Sequence, residues 1–68
     1  MGWSYKPLWH LLTEREMTRE QLRTALGISS ATIAKMGRGE NVSMDVLNKI
    51  CSYLDCGLSD VVEHIREQ

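Results

Sequence analysis

The sequence is short of several things, and each shortage excludes something. No apolar run approaches the roughly 18–20 residues needed to cross a bilayer; the longest, Pro7 to Leu12, is interrupted by His10. The N-terminus carries no signal-peptide pattern. The expectation is a soluble, cytoplasmic protein with no membrane partner. Phenylalanine is absent, and no stretch alternates apolar and polar residues, so strands are not expected. There are only two cysteines, Cys51 and Cys56. A helix running through both would separate them by about 7.5 Å of rise, beyond the roughly 4.4–6.8 Å of a disulfide. Two reduced thiols against a core are expected. With no CxxC or HxxxH pair, no metal site is expected either.

Catalytic groupings are missing as well. No Ser, His and Asp recur on one face, and no paired carboxylates sit in an apolar setting. The glycines of Gly37 to Glu40 (GRGE) follow a helical pattern rather than a strand, which is the wrong context for a nucleotide loop. The chain is not expected to be an enzyme, and it implies no cofactor and no small-molecule effector.

What remains is 68 residues, 43% of them hydrophobic, enough for one compact domain spanning 1–68 with one modest core. The net charge is −1, but it is unevenly spread. Residues 1–42 hold Lys6, Arg15, Arg19, Arg23, Lys35 and Arg38 against four glutamates, whereas residues 43–68 hold Lys49 and Arg66 against five acids. A chain with one cationic half can meet phosphate with that half.

Hydrophobic spacing predicts five short helices, at about 5–15, 18–26, 29–37, 43–55 and 59–66. Ser4 is the expected cap of the first, Pro7 is tolerated in its first turn, and Leu8, Leu11 and Leu12 form its stripe. Thr18 and Gln21 have the spacing of a capping box, Leu22, Ala25 and Leu26 supply a buried face, and Gly27 is a left-handed stop. Ser29 caps a third helix whose only sizeable apolar residues are Ile33 and Met36. Ser43 caps a fourth with a Leu47, Ile50, Cys51, Leu54 stripe, broken by Gly57. Ser59 and Asp60 open a fifth carrying Val61, Val62 and Ile65. Trp3, Tyr5 and Trp9 are expected in a core or a subunit contact, and His10 and His64 as isolated histidines.

Helices two and three, joined by a short glycine-containing turn, make a helix-turn-helix. If Leu22, Leu26, Ile28, Ile33 and Met36 are buried, then Ser29, Ser30, Ala31, Thr32, Ala34, Lys35 and Arg38 face outward. Small or polar outward residues let a helix backbone approach base edges in a DNA major groove. No acid occurs from residue 28 through 39, so nothing on this face repels phosphate.

At these residues, in TREQLRTALGISSATIAKMGRGENVSMDVLNKICSYLDC, the sequence resembles the lambda-repressor-like, Cro-type helix-turn-helix regulators of bacteria and phage. The matching features are Thr18, Leu22, Gly27 with Ile28 and Ser29, Thr32 with Ile33, the Gly39 loop, and Leu47 with Leu54. The resemblance implies an all-α, five-helix lambda-repressor-like domain. It implies a sequence-specific, double-stranded-DNA-binding transcriptional regulator, a repressor, reading the major groove with helix three as a homodimer. Carried over position by position, Ser30, Ala31 and Lys35 face bases, while Thr18, Arg19, Ser29, Thr32, Arg38 and Asn41 face the phosphate backbone. Two positions depart from the common pattern. Arg19 stands where many relatives carry glutamine, and Arg23 where many carry a small residue; the Arg23 stem is expected along the surface with its charge in water. A protein-interaction module on the same scaffold, antitoxin-like or antagonising a repressor, is the alternative, since fold does not fix function.

Overall fold

The structure is a computed structural model and describes residues 2–66. The order is β1 (Gly2–Ser4), α1 (Lys6–Glu14), α2 (Arg19–Leu26), α3 (Ser30–Gly37), α4 (Met44–Leu54), a 3₁₀ turn (Leu58–Asp60) and β2 (Glu63–Ile65). Four helices therefore stand where five were expected. β1 and β2 pair antiparallel, Trp3 opposite His64, into a two-stranded ribbon that joins the two ends of the described chain.

The starts of α2, α3 and α4 follow from their capping residues. Thr18, Ser29 and Ser43 each sit in extended backbone, and each side-chain oxygen accepts the amide N–H three residues on. That satisfies one of the amides a helix start leaves without a partner. Gly27, at φ 68°, ends α2 in the left-handed conformation. No atom lies within 4 Å of where its Cβ would be, so the glycine is required by backbone angle alone.

Helix α1 starts differently from the expectation. Tyr5, not Ser4, holds the cap position and gives no side-chain cap. Ser4 Oγ accepts the Lys6 amide at 3.3 Å, and the Leu8 amide donates to the carbonyl of Val61 at 3.2 Å. This second bond ties the Val61 carbonyl to the first turn of α1, in the segment where a fifth helix over 59–66 was expected. Val61 is fully buried, whereas Glu63, His64 and Ile65 are exposed, so a second helical turn there has nothing to bury. Strand pairing with Gly2–Ser4 takes up the backbone instead. Three-residue strands are too short to show an alternating pattern, which is why none was legible.

The core consists of Tyr5, Leu8, Leu12, Leu22, Met36, Leu47, Ile50, Leu54 and Val61, with Ile33, Leu26, Val46, Cys51 and Cys56 half-buried against it. Every described helix contributes to it. Helix α4 ends at Leu54, one residue before the expected bound, because Asp55 rather than Gly57 turns left-handed at φ 52°. Cys56 consequently lies outside the helix, and the spacing argument that separated it from Cys51 does not apply. Both thiols are free.

Candidate nucleic-acid interface

The α2–turn–α3 unit is fixed by bonds between near neighbours. At its start the Gln21 amide donates to Thr18 Oγ1 at 3.0 Å and the Thr18 amide to Gln21 Oε1 at 2.8 Å. The capping box thus consumes the Thr18 amide, and the amides of Arg19 and Glu20 are the ones left at this helix start. Arg23 does not extend into water as expected. Its guanidinium forks onto Glu20, with Nε 3.0 Å from Oε1 and Nη2 on Oε2, and Nη1 donates to the Ile28 carbonyl at 3.4 Å. The pair holds the Glu20 carboxyl below its ordinary range and raises the Arg23 guanidinium. The residue that departs from the family pattern therefore braces the turn.

Helix α3 opens on Ser29, whose Oγ accepts the Thr32 amide at 3.2 Å and lies 3.0 Å from Thr32 Oγ1. Met36 is buried, Thr32 and Ile33 are half-buried, and Ser30, Ala31, Ala34, Lys35 and Gly37 are exposed. At about 100° per residue, the five exposed residues fall on one continuous arc. The three expected base-facing residues, Ser30, Ala31 and Lys35, share it. Ala34 lies near the middle of the arc between Ser30 and Ala31, and so belongs to the face; its helical position was the signal that could have placed it.

A family model described as a Cro/C1-type helix-turn-helix DNA-binding domain matches residues 7–67. The chain belongs to this family. No curated protein matches it. Among solved structures it is similar to the crystal structure of the transcriptional regulator VanUg, Form II, with 47% sequence identity and a TM-score of 0.93. That likeness covers 97% of this chain and 88% of the other.

In this Cro/C1-type domain the remaining polar side chains gather at the two edges of the α3 arc. At one edge Thr32, Lys35, Asn41 and Ser43 line a shallow hollow of about 290 Å³ between α3 and the start of α4. At the other edge a cleft of about 460 Å³ is lined by Lys6, Trp9, Arg19, Gly37 and Arg38, with Trp3 and Ser4 of β1. The Arg19 guanidinium lies over the Trp9 ring, 3.8 Å from its centroid. Its Nη1 lies beside α3 at Gly37, where a Cβ would meet it in ordinary contact at 3.5 Å. The ring holds the cation without neutralising it. Among the described residues, Lys6, Arg19 and Lys35 form no ion pair. Lys6 and Trp9 were not among the expected site residues. Their i, i+3 spacing on α1 was the signal that could have placed them on one face.

Arg38 is not free. Its Nε lies 2.5 Å from Glu40 Oε2, and Glu40 is held below its usual range by Arg38 and, less, by Lys35. A phosphate approaching Arg38 finds its Nη donors unengaged among the described residues but meets the Glu40 carboxylate beside them. The loop carrying both is pinned from the far side of the chain. Tyr5 Oη donates to the Glu40 carbonyl at 2.9 Å, and a Cβ on Gly39 (φ 73°) would stand 2.6 Å from the Trp3 carbonyl oxygen. Burial raises the Tyr5 phenol, opposed by a hydrogen bond from the backbone at Val42.

Proposed function

We propose that this chain is a sequence-specific transcriptional regulator of double-stranded DNA, a repressor, with α3 in the major groove. The observation that carries the reading is the acid-free, small-residue arc of α3 with polar groups at both edges. Ser30, Ala31, Ala34 and Lys35 would meet base edges; Ala31 and Ala34 offer methyls to thymine, and Lys35 can donate to guanine O6 and N7. Arg19, seated on Trp9, and Lys6 would take phosphates on one flank, with the free α2 amides nearby. Thr32, Ser29 and Asn41 would take them on the other. Thr18 acts through its cap, and Arg38 contributes through its Nη donors against the opposing charge of Glu40. The likeness to VanUg, a transcriptional regulator, supports this assignment.

A single arc of this size contacts too few base pairs for selectivity. A two-fold dimer places two such helices one DNA turn, about 34 Å, apart. Exposed apolar surface on Trp3, Met44, Leu58 and Ile65 supports self-association. The work of such a protein is cytoplasmic.

Selection of bound genomic fragments, followed by a salt titration on the winner, tests the reading. A preferred sequence whose affinity falls steeply with salt is expected. No preferred sequence, or no salt dependence, overturns it and leaves the protein-partner alternative. Lys35→Ala should relax base preference, at about 1–3 kcal/mol, whereas Lys6→Ala should weaken all sequences alike.

A further inference from the structure

The early end of α4 brings the two cysteines together. Asp55 turns left-handed, the chain doubles back, and the Cys56 amide donates to the Cys51 carbonyl at 3.1 Å. The Asp55 amide donates to the same carbonyl. This is a Schellman-type closure, in which the residue after the left-handed position packs its side chain onto the residue five before it. Such contacts are ordinarily apolar; here both members are thiols. Both are half-buried, free, and set against the edge of the core.

The backbone bond sets a limit on their separation. With N···O at 3.1 Å, an N–Cα bond of about 1.46 Å and a Cα-to-O distance of about 2.4 Å, the two Cα atoms lie at most about 7 Å apart. That maximum needs all four atoms in line, and a bend that shortens it by about 0.2 Å already puts the pair within the upper limit of about 6.8 Å for a disulfide. The Cys56 thiol is raised by burial first, then by the adjoining Cys51 thiol, which also hydrogen-bonds it, and by Asp60; Arg15 opposes them. It therefore stays protonated at neutral pH, and its reactions quicken as pH rises.

We propose that Cys51 and Cys56 form a dithiol site that closes to an intrachain disulfide on meeting a small disulfide oxidant such as oxidised glutathione. One cysteine thiolate attacks the oxidant, forming a mixed disulfide and expelling one glutathione thiolate. The second cysteine thiolate attacks the cysteine sulfur of that mixed disulfide and expels the other glutathione. Two electrons pass to the oxidant, and the two protein protons end on the two glutathione thiols. The closure of α4 has already brought the partners together, so the second step outruns release of the adduct.

The reduced full-length chain is incubated with oxidised glutathione at mildly alkaline pH and followed by intact mass and peptide mapping. The expected product is lighter by two hydrogens, with Cys51 joined to Cys56 in one chain. A stable glutathione adduct in the wild type, chain-to-chain dimers only, or no reaction each overturns the proposal. Cys51→Ser and Cys56→Ser should instead trap one glutathione each. Phenylarsine oxide gives a second readout that needs no variant. One equivalent should bind between the two sulfurs, and either serine should weaken it on the order of a hundredfold, as expected when a chelate is cut to one arm. Binding of two equivalents, or of none, goes against the site.

Discussion

Two parts of this molecule are held in opposite ways. The α2–turn–α3 unit is tied by bonds three to five residues long: Thr18 with Gln21, Arg23 with Glu20 and Ile28, Ser29 with Thr32. The platform beneath the following loop is tied across the whole chain. There Trp3 pairs with His64, Tyr5 reaches Glu40, Leu8 reaches Val61, and Gly39 sits on the Trp3 carbonyl. The first assembly can form as soon as its own residues are present, while the second needs both ends of the domain in place. The exposed face of α3 is thus locally built and remotely held.

Two left-handed glycines break the comparison most directly. Gly39→Ala meets both an unfavourable φ of 73° and a backbone oxygen 2.6 Å from the new Cβ. The angle alone costs about 1–2 kcal/mol, and moving the Trp3 carbonyl adds to it, so roughly 3 kcal/mol in all is expected. Gly27→Ala has a similar φ of 68° but open space around it, so it should lose only about 1–2 kcal/mol. Urea denaturation of both measures the difference. Equal losses would mean that the β1 contact contributes nothing to holding the loop.

Smaller effects sharpen the same contrast. Thr18→Ala removes a local cap and Tyr5→Phe a remote hydrogen bond; each should cost about 1 kcal/mol in folding stability. They should part in where the loss appears. Amide exchange at the start of α2 should rise in Thr18→Ala, and exchange across residues 39–42 in Tyr5→Phe. Exchange that rises uniformly in both would remove the division into a local and a remote assembly.

The division also marks how far the sequence could be read. Thr18, Gln21, Gly27, Ser29 and Ser43 announce their roles because each cap or stop is complete within four residues of itself. The open arc of α3 follows from that register, including Ala34 once its angle is counted. The segment after Gly57 was misjudged because its backbone is claimed by distant partners: the Val61 carbonyl by Leu8, and residues 63–65 by β1. The same is true at the site. Arg19 was legible as a cation at a helix start, but its seat on Trp9 and the capture of Arg38 by Glu40 depend on packing that no local spacing encodes.

That capture gives the smallest and most specific test. Glu40 is the one acid in the loop after α3, paired with Arg38 at 2.5 Å and held below the usual carboxylate range. While ionised, it cancels Arg38 and opposes any phosphate placed near Lys35. Glu40→Gln keeps the side chain's size and polarity but removes its charge. Both partners are exposed, so folding stability should shift by less than about 1 kcal/mol. Under the DNA-binding reading, affinity for all sequences should rise several-fold at low salt, with a salt slope steeper by about one phosphate. In the parent chain the same release should come from acid. As pH falls through the depressed Glu40 pKa the carboxylate is protonated, and its pairing with Arg38 is lost. Binding should therefore strengthen toward low pH in the parent and less so in Glu40→Gln. Identical pH profiles would show that Arg38 stays occupied on DNA and that the phosphate flank rests on Arg19 and Lys6 alone.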